Sequence, residues 1–197
     1  MNVQEATTRR LPDLKGRYLP ENCRETINTI LKETYGYEQF RNLEIYDDLS
    51  KGKEKLCISQ GQLIENVILE AEKAWKGETQ VDNILLTAPT GSGKSLLFQL
   101  PAIYLGKEYN LLTIVVSPLK ALIVDQVESL QELGYTRVAY ASSDLSPEQK
   151  MEVYRQVREG EIDLFYLSPE LLLSYDIKHF VGERRIGLVV VDEAHTV

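Results

Sequence analysis

The chain has 197 residues, 43% of them hydrophobic, which suits one domain, or one domain plus a small appendage, built around a proper core. Its formal net charge of -8 argues against a generally basic nucleic-acid coat but leaves room for a local groove of donors. Cys23 and Cys57 match neither a disulfide framework nor a metal-ligand spacing, no apolar run approaches membrane-spanning length, and the start lacks a signal-peptide apolar region, so a reducing cytoplasm is the expected compartment.

Residues 1 to 20, interrupted by Pro12, Gly16 and Pro20, read as an extended arm or irregular lead-in. From Glu21 to Tyr35, Ile27, Ile30 and Leu31 recur at helical spacing, and Gly36 supplies a stop, which predicts a helix packed on the main domain. Tyr35-Gly36-Tyr37 and Phe40-Arg41 follow, then a charged stretch from Lys51 to Lys55, then Gly61-Gln62 at the head of a second helix. In that helix Ile64, Val67, Ile68, Ala71 and Trp75 form one apolar face that is expected to lie against a sheet. Gln62 reads equally as a solvated helix-start glutamine or as a reader of a nucleotide base.

After a turn at Gly77 to Gln80 the pattern becomes a βα alternation. Strands are predicted at Val81–Thr87, Leu111–Ser117, Arg137–Ala141, Asp163–Ser168 and Gly187–Asp192, with helices at Lys94–Leu105, Leu119–Leu133 and Pro147–Glu159. In the second of these helices Leu119, Leu122, Ile123, Val127, Leu130 and Leu133 form a stripe that is expected to be buried. Apolar strands separated by helices predict a parallel sheet covered on both faces, with ligands at the carboxyl ends of its strands.

Two stretches carry chemistry. In Thr90-Gly91-Ser92-Gly93-Lys94-Ser95, a strand-like run enters a small-residue turn that leads into a helix. The glycines let successive N–H groups turn inward, and the helix adds its unpaired amides and positive dipole end, making a seat for phosphates. Lys94 would neutralise the outer phosphates and Ser95 would present its hydroxyl to Mg²⁺. Ala88 stands where the G-x-x-x-x-G-K-[ST] pattern has its first glycine. The last strand delivers Asp192-Glu193 to the same edge, where Asp192 would hold the Mg²⁺ shell and Glu193 would orient and deprotonate an attacking water. Together these two stretches describe a nucleotide-hydrolysing site, whereas either alone has a bland reading as a linker or an acidic strand end.

Four stretches in this order resemble superfamily 2 helicases of the DEAH-box type, and most closely the RecQ-like branch. They are Ala88 to Ser95 with Phe98-Gln99-Leu100-Pro101-Ala102, Val115 to Leu122, Tyr166-Leu167-Ser168-Pro169-Glu170, and Val191-Asp192-Glu193-Ala194-His195. The resemblance implies an α/β, RecA-like P-loop NTPase sheet with helices on both faces. A mainly helical segment precedes it, dividing the chain into a leader at 1–78 and a first motor lobe at 79–197. It implies an ATP- and Mg²⁺-dependent helicase or translocase acting on a single-stranded or partly duplex nucleic acid, DNA by the RecQ-like likeness, moving 3′ to 5′.

By the same resemblance Ser117, Pro118, Lys120, Gln126, Ser168 and Pro169 would line the groove that grips the strand by its phosphates, although Ser/Pro helix capping explains those serines equally well. His195 would couple nucleotide state to the rest of the motor. Where the family has its adenine-contacting glutamine after Phe-Arg, Glu44 stands, and Gly61-Gln62 fits better. A second RecA-like lobe with arginine fingers is expected in the same polypeptide beyond Val197, and the leader suggests a specialised role with a nuclease or other protein partner. The rival expectations are a nucleotide-controlled switch or assembly platform, which would ignore added strands, and a small-molecule kinase, which the Asp-Glu-Ala-His box argues against.

Overall fold

The structure, a computed structural model, describes residues 22–46, 55–86 and 91–193; the lead-in, Ala88, Thr90 and His195 lie outside these. Helix α1 (Glu25–Tyr35) buries Ile27, Ile30 and Leu31, and it stops at Gly36, whose φ of 69° brings its N–H onto the Lys32 carbonyl. A feature without a sequence signal follows: β1 (Asn42–Tyr46) and β2 (Lys55–Ser59) pair as an antiparallel hairpin. Helix α2 (Gln60–Trp75) starts in a capping box, with the Ser59 hydroxyl accepting from the backbone while Gln62 accepts from the Ser59 N–H at 3.0 Å. Ile64, Ile68 and Ala71 of its expected face are buried, but Trp75 is not: 43% exposed, it lies tilted on Tyr109 with ring centroids 4.8 Å apart.

The expected strand at Val81–Thr87 is not formed over residues 81–86. An aliphatic run becomes a strand only with a hydrogen-bonding neighbour, and this run is instead held to α2 through the Asp82 N–H donating to Glu70, leaving Leu85 65% exposed. From there the expected alternation forms as α3 (Leu96–Tyr109), β3 (Leu112–Val116), α4 (Lys120–Glu132), β4 (Val138–Ala141), α5 (Pro147–Glu159), β5 (Leu164–Leu167) and β6 (Ile186–Val191), with two short helices the periodicity did not predict, α6 (Pro169–Ser174) and α7 (Ile177–Val181), between β5 and β6. The stripe on α4 is narrower than expected. Ile123, Val127 and Leu130 are buried, whereas Leu119 and Leu133 at the two ends of the helix are exposed.

Strands β3 to β6 form one parallel sheet in the order β4-β5-β3-β6. Period-two alternation divides its side chains between two apolar clusters. Val115, Val138, Leu164 and Tyr166 join α1, α2, α3 and α4 on one face, while Ile114, Val116, Phe165 and Leu167 join α5 and α7 on the other. The leader and the alternating segment thus share one core. No helix among the described residues is long and apolar enough to cross a membrane.

The amino end of β5 is clamped by charge. Asp163, fully buried, accepts from Arg137 Nε at 2.6 Å, Arg184 at 2.8 Å and the Tyr135 hydroxyl at 3.3 Å. Gly106 of α3 comes so close that a Cβ there would lie 2.4 Å from the Asp163 carboxyl carbon. Removing the carboxylate leaves Arg184, whose side chain is 5% exposed, as a buried cation without its anion. Asp163→Ala is therefore expected to cost about 3–5 kcal/mol, read from the urea midpoint of unfolding.

Candidate nucleotide site

The opposite ends of the strands converge. Parallel register pairs Val116 with both Leu167 and Val191, so Ser117, Ser168 and Asp192 leave the sheet at one edge. Backbone bonds continue one residue past the strands, from the Ser117 N–H to Leu167 and from the Asp192 N–H to Val116.

The glycine turn reaches this edge too. Gly91 and Gly93 have φ of 79° and 80°, the left-handed conformation that side-chain-bearing residues avoid. Gly93 is constrained twice, because a Cβ on it would stand 2.7 Å from Gln60 Nε2. Ser95 precedes α3 in helical conformation and its side chain makes no capping bond, so the hydroxyl is not spent on the helix start. Lys94 Nζ lies 3.7 Å from Glu193 Oε1, joining the two stretches across the sheet edge; both side chains remain partly exposed. Glu193 sits at φ 51°, a conformation costing a residue with a Cβ on the order of 1 kcal/mol, and its N–H donates to Asp192 Oδ1 at 3.0 Å. Such strain, held in place by neighbours, is characteristic of sites that aim a functional group.

The donor set is compatible with magnesium. The Ser95 hydroxyl and the Asp192 carboxylate are hard oxygen donors, and Mg²⁺ typically takes one or two protein oxygens and fills its octahedron with phosphate oxygens and water.

Gln62, expected as a base reader, sits in the α2 capping box. It is Gln60, 2% exposed, that touches the glycine turn: its Nε2 donates to the Ser92 carbonyl at 3.1 Å and its Oε1 accepts from the Arg41 N–H at 3.2 Å. The Gln60 N–H donates to the Arg41 carbonyl, and Phe40 packs so closely on Gly61 that a Cβ there would lie 2.6 Å from its ring. The Phe40-Arg41 and Gln60-Gly61 pieces, which the sequence separates by the β1–β2 hairpin, thereby form one unit against the glycine turn. The sequence signal for Gln60 was its place beside Gly61, but only the helix register says which glutamine faces the loop.

Of the residues expected in a strand groove, Ser117 is 1% exposed and its hydroxyl has no hydrogen-bond partner among the described residues. Pro118 is half-buried. Lys120, at the start of α4, is exposed and engages Ser143 and Asp144 of the loop after β4. Ser168 accepts from the Leu171 N–H and Pro169 occupies the first turn of α6, the capping arrangement. Gln126 points inward, with Nε2 on Asp192 Oδ2 at 3.3 Å. A cleft of about 210 Å³ lined by Tyr35, Ser95, Gln99, Asp125 and Gln126 runs beside this contact.

The leader is anchored to the same body. Arg24 pairs with Glu65 at 2.6 Å and Glu72 at 2.7 Å, its guanidinium 4.8 Å from the Tyr104 ring centroid. Burial disfavours the charged Glu72 carboxylate, but hydrogen bonds from Arg24 and Tyr109 outweigh it and hold the group below the usual carboxylate range. Burial, reinforced by Glu65, pushes the Cys23 thiol up to about 12, so it is no nucleophile at neutral pH.

Known proteins resemble this chain. A family model described as DEAD/DEAH box helicase matches residues 62–197. The ATP-dependent DNA helicase RecQ of Synechocystis is 33% identical over 174 residues, covering 87% of this chain and 30% of that protein. The ATP-dependent DNA helicase Q-like 5 of Arabidopsis thaliana is 34% identical over 174 residues, covering 88% of this chain and 16% of that protein. The chain thus spans less than a third of the length of these relatives. A solved structure of the DUF1998 helicase MrfA bound to DNA and AMPPNP superposes with a TM-score of 0.53 at 22% identity over 91% of this chain and 22% of that one, a likeness of fold.

Proposed function

Because the chain belongs to the DEAD/DEAH box helicase family, we propose that it is part of the first motor lobe of an ATP-dependent helicase that couples Mg²⁺-ATP hydrolysis to movement along a nucleic-acid strand. The observation that carries this reading is the 3.7 Å approach of the Lys94 ammonium to the Glu193 carboxylate at one sheet edge. Lys94 draws the outer phosphates into the glycine turn, whose amides and the α3 N-terminus bind their oxygens. Glu193 accepts the proton of the attacking water, and Ser95 and Asp192 would hold the metal. When bound, Mg²⁺ neutralises phosphate charge as a Lewis acid. Gln60 fixes the loop through the Ser92 carbonyl, and Gln62 stays a candidate for reading adenine.

DNA as the strand follows the names of the relatives, and 3′ to 5′ movement follows the RecQ-like resemblance. A second RecA-like lobe in the same polypeptide would supply arginine fingers to the phosphoryl-transfer transition state. Single-stranded DNA is expected to stimulate ATP hydrolysis by the full-length protein severalfold, with displacement of a strand from a 3′-tailed duplex. Turnover indifferent to added DNA or RNA would instead favour a nucleotide-controlled switch.

A further inference from the structure

A chain of hydrogen-bonded side chains, buried at its centre, leads away from the nucleotide site, and the phosphate chemistry makes no use of it. The Tyr35 hydroxyl donates to Gln99 Oε1 at 2.9 Å, Gln99 Nε2 donates to the Tyr166 hydroxyl at 3.1 Å, that hydroxyl donates to Gln126 Oε1 at 2.9 Å, and Gln126 Nε2 donates to Asp192 Oδ2 at 3.3 Å. One residue each comes from α1, α3, β5 and α4, and the chain ends on the carboxylate assigned to the metal. Gln99, Tyr166 and Gln126 are 5%, 0% and 9% exposed.

Burying two amides and a phenol is costly unless every polar atom is satisfied, and apolar side chains of similar shape would fill the same space without that demand. Packing therefore does not explain the chain, but its direction does suggest a role. The Tyr166 hydroxyl accepts from Gln99 and donates onward, which fixes the Gln126 amide so that its NH₂ faces Asp192. Burial pushes the Tyr166 phenol above its ordinary value, which keeps that hydroxyl a donor. Asp192 is then held from two sides, at Oδ1 by the Glu193 N–H and at Oδ2 by Gln126. Two donors on opposite oxygens fix the plane of a carboxylate that would otherwise rotate about its last torsion.

We propose that Gln126 and Tyr166 are positioning residues for Asp192, partners outside the metal's own ligand shell that hold its carboxylate in the orientation Mg²⁺-nucleotide requires. This rests on the ATP-site reading above, and both can be tested with the fluorescent nucleotide mant-ADP titrated with Mg²⁺ on the full-length protein. Tyr166→Phe keeps the ring and removes one hydroxyl, and Gln126→Leu keeps the volume and removes the terminal donor.

In both variants the Mg²⁺ concentration for half-maximal tightening of mant-ADP is expected to rise about tenfold. Metal-free mant-ADP affinity should stay at the wild-type value, which a general loss of structure would not allow. A wild-type Mg²⁺ midpoint in both variants, or a proportional loss of metal-free binding in both, overturns the positioning role alone. Wild-type protein that fails to bind mant-ADP, or a Lys94→Ala variant that binds it as wild type does with and without Mg²⁺, overturns the ATP site itself.

Discussion

Lys94→Ala is expected to lower strand-stimulated ATP turnover by about two to three orders of magnitude, the usual cost of deleting one preorganised group that meets developing phosphate charge. The fold should survive the change. Lys94 contributes to the start of α3 through its backbone, its carbonyl accepting from the Leu97 N–H, and alanine keeps that carbonyl with the best helix propensity. The ammonium group itself lies in the partly exposed gap between the glycine turn and Glu193, away from the apolar clusters. Nucleotide affinity should fall with turnover, because in the proposed site Lys94 would meet phosphates in the ground state as well as in the transition state. Steady-state hydrolysis and mant-ADP binding, with a melting curve as a check on folding, measure all three. Wild-type turnover in a folded variant would sink the phosphate-loop assignment.

Much of this architecture was legible because it rests on local periodicity. Ile27, Ile30 and Leu31 with a left-handed glycine after them, and strands that are apolar on both faces, each carry their own signal, and the expected spans of β3 to β6 differ from the observed ones by a residue or so at each end. What was not legible depends on partners distant in sequence. The β1–β2 hairpin splits Phe40-Arg41 from Gln60-Gly61, and a linear reading sees an ill-spaced motif where the folded chain closes one through two Arg41–Gln60 backbone and side-chain bonds. The resemblance put Gln126 on the nucleic-acid groove, and the fold adds that its amide meets Tyr166 and Asp192 across separations of 40 and 66 residues, a pairing no spacing rule encodes. Residues 81–86 have the composition of a strand, and they lack the ladder that would make them one.

Glu193→Gln separates base chemistry from binding, and turnover in that variant should fall by about two to four orders of magnitude, the range attributed to a positioned general base. Glutamine is nearly isosteric and can keep the backbone bend at φ 51° with its N–H on Asp192, so the geometry of the Asp192 carboxylate is preserved. What disappears is the ability to take a proton from water. The effect on binding has the opposite sign from that of Lys94→Ala. With Glu193 neutral, Lys94 loses the anion 3.7 Å away that competes with nucleotide phosphates for its charge, and those phosphates no longer face a carboxylate. Mant-ADP should therefore bind Glu193→Gln at least as tightly as wild type while hydrolysis collapses. That combination distinguishes a catalytic base from a structural ion pair: if the Lys94–Glu193 contact only held the loop in shape, either substitution would weaken binding, and turnover would fall only in proportion.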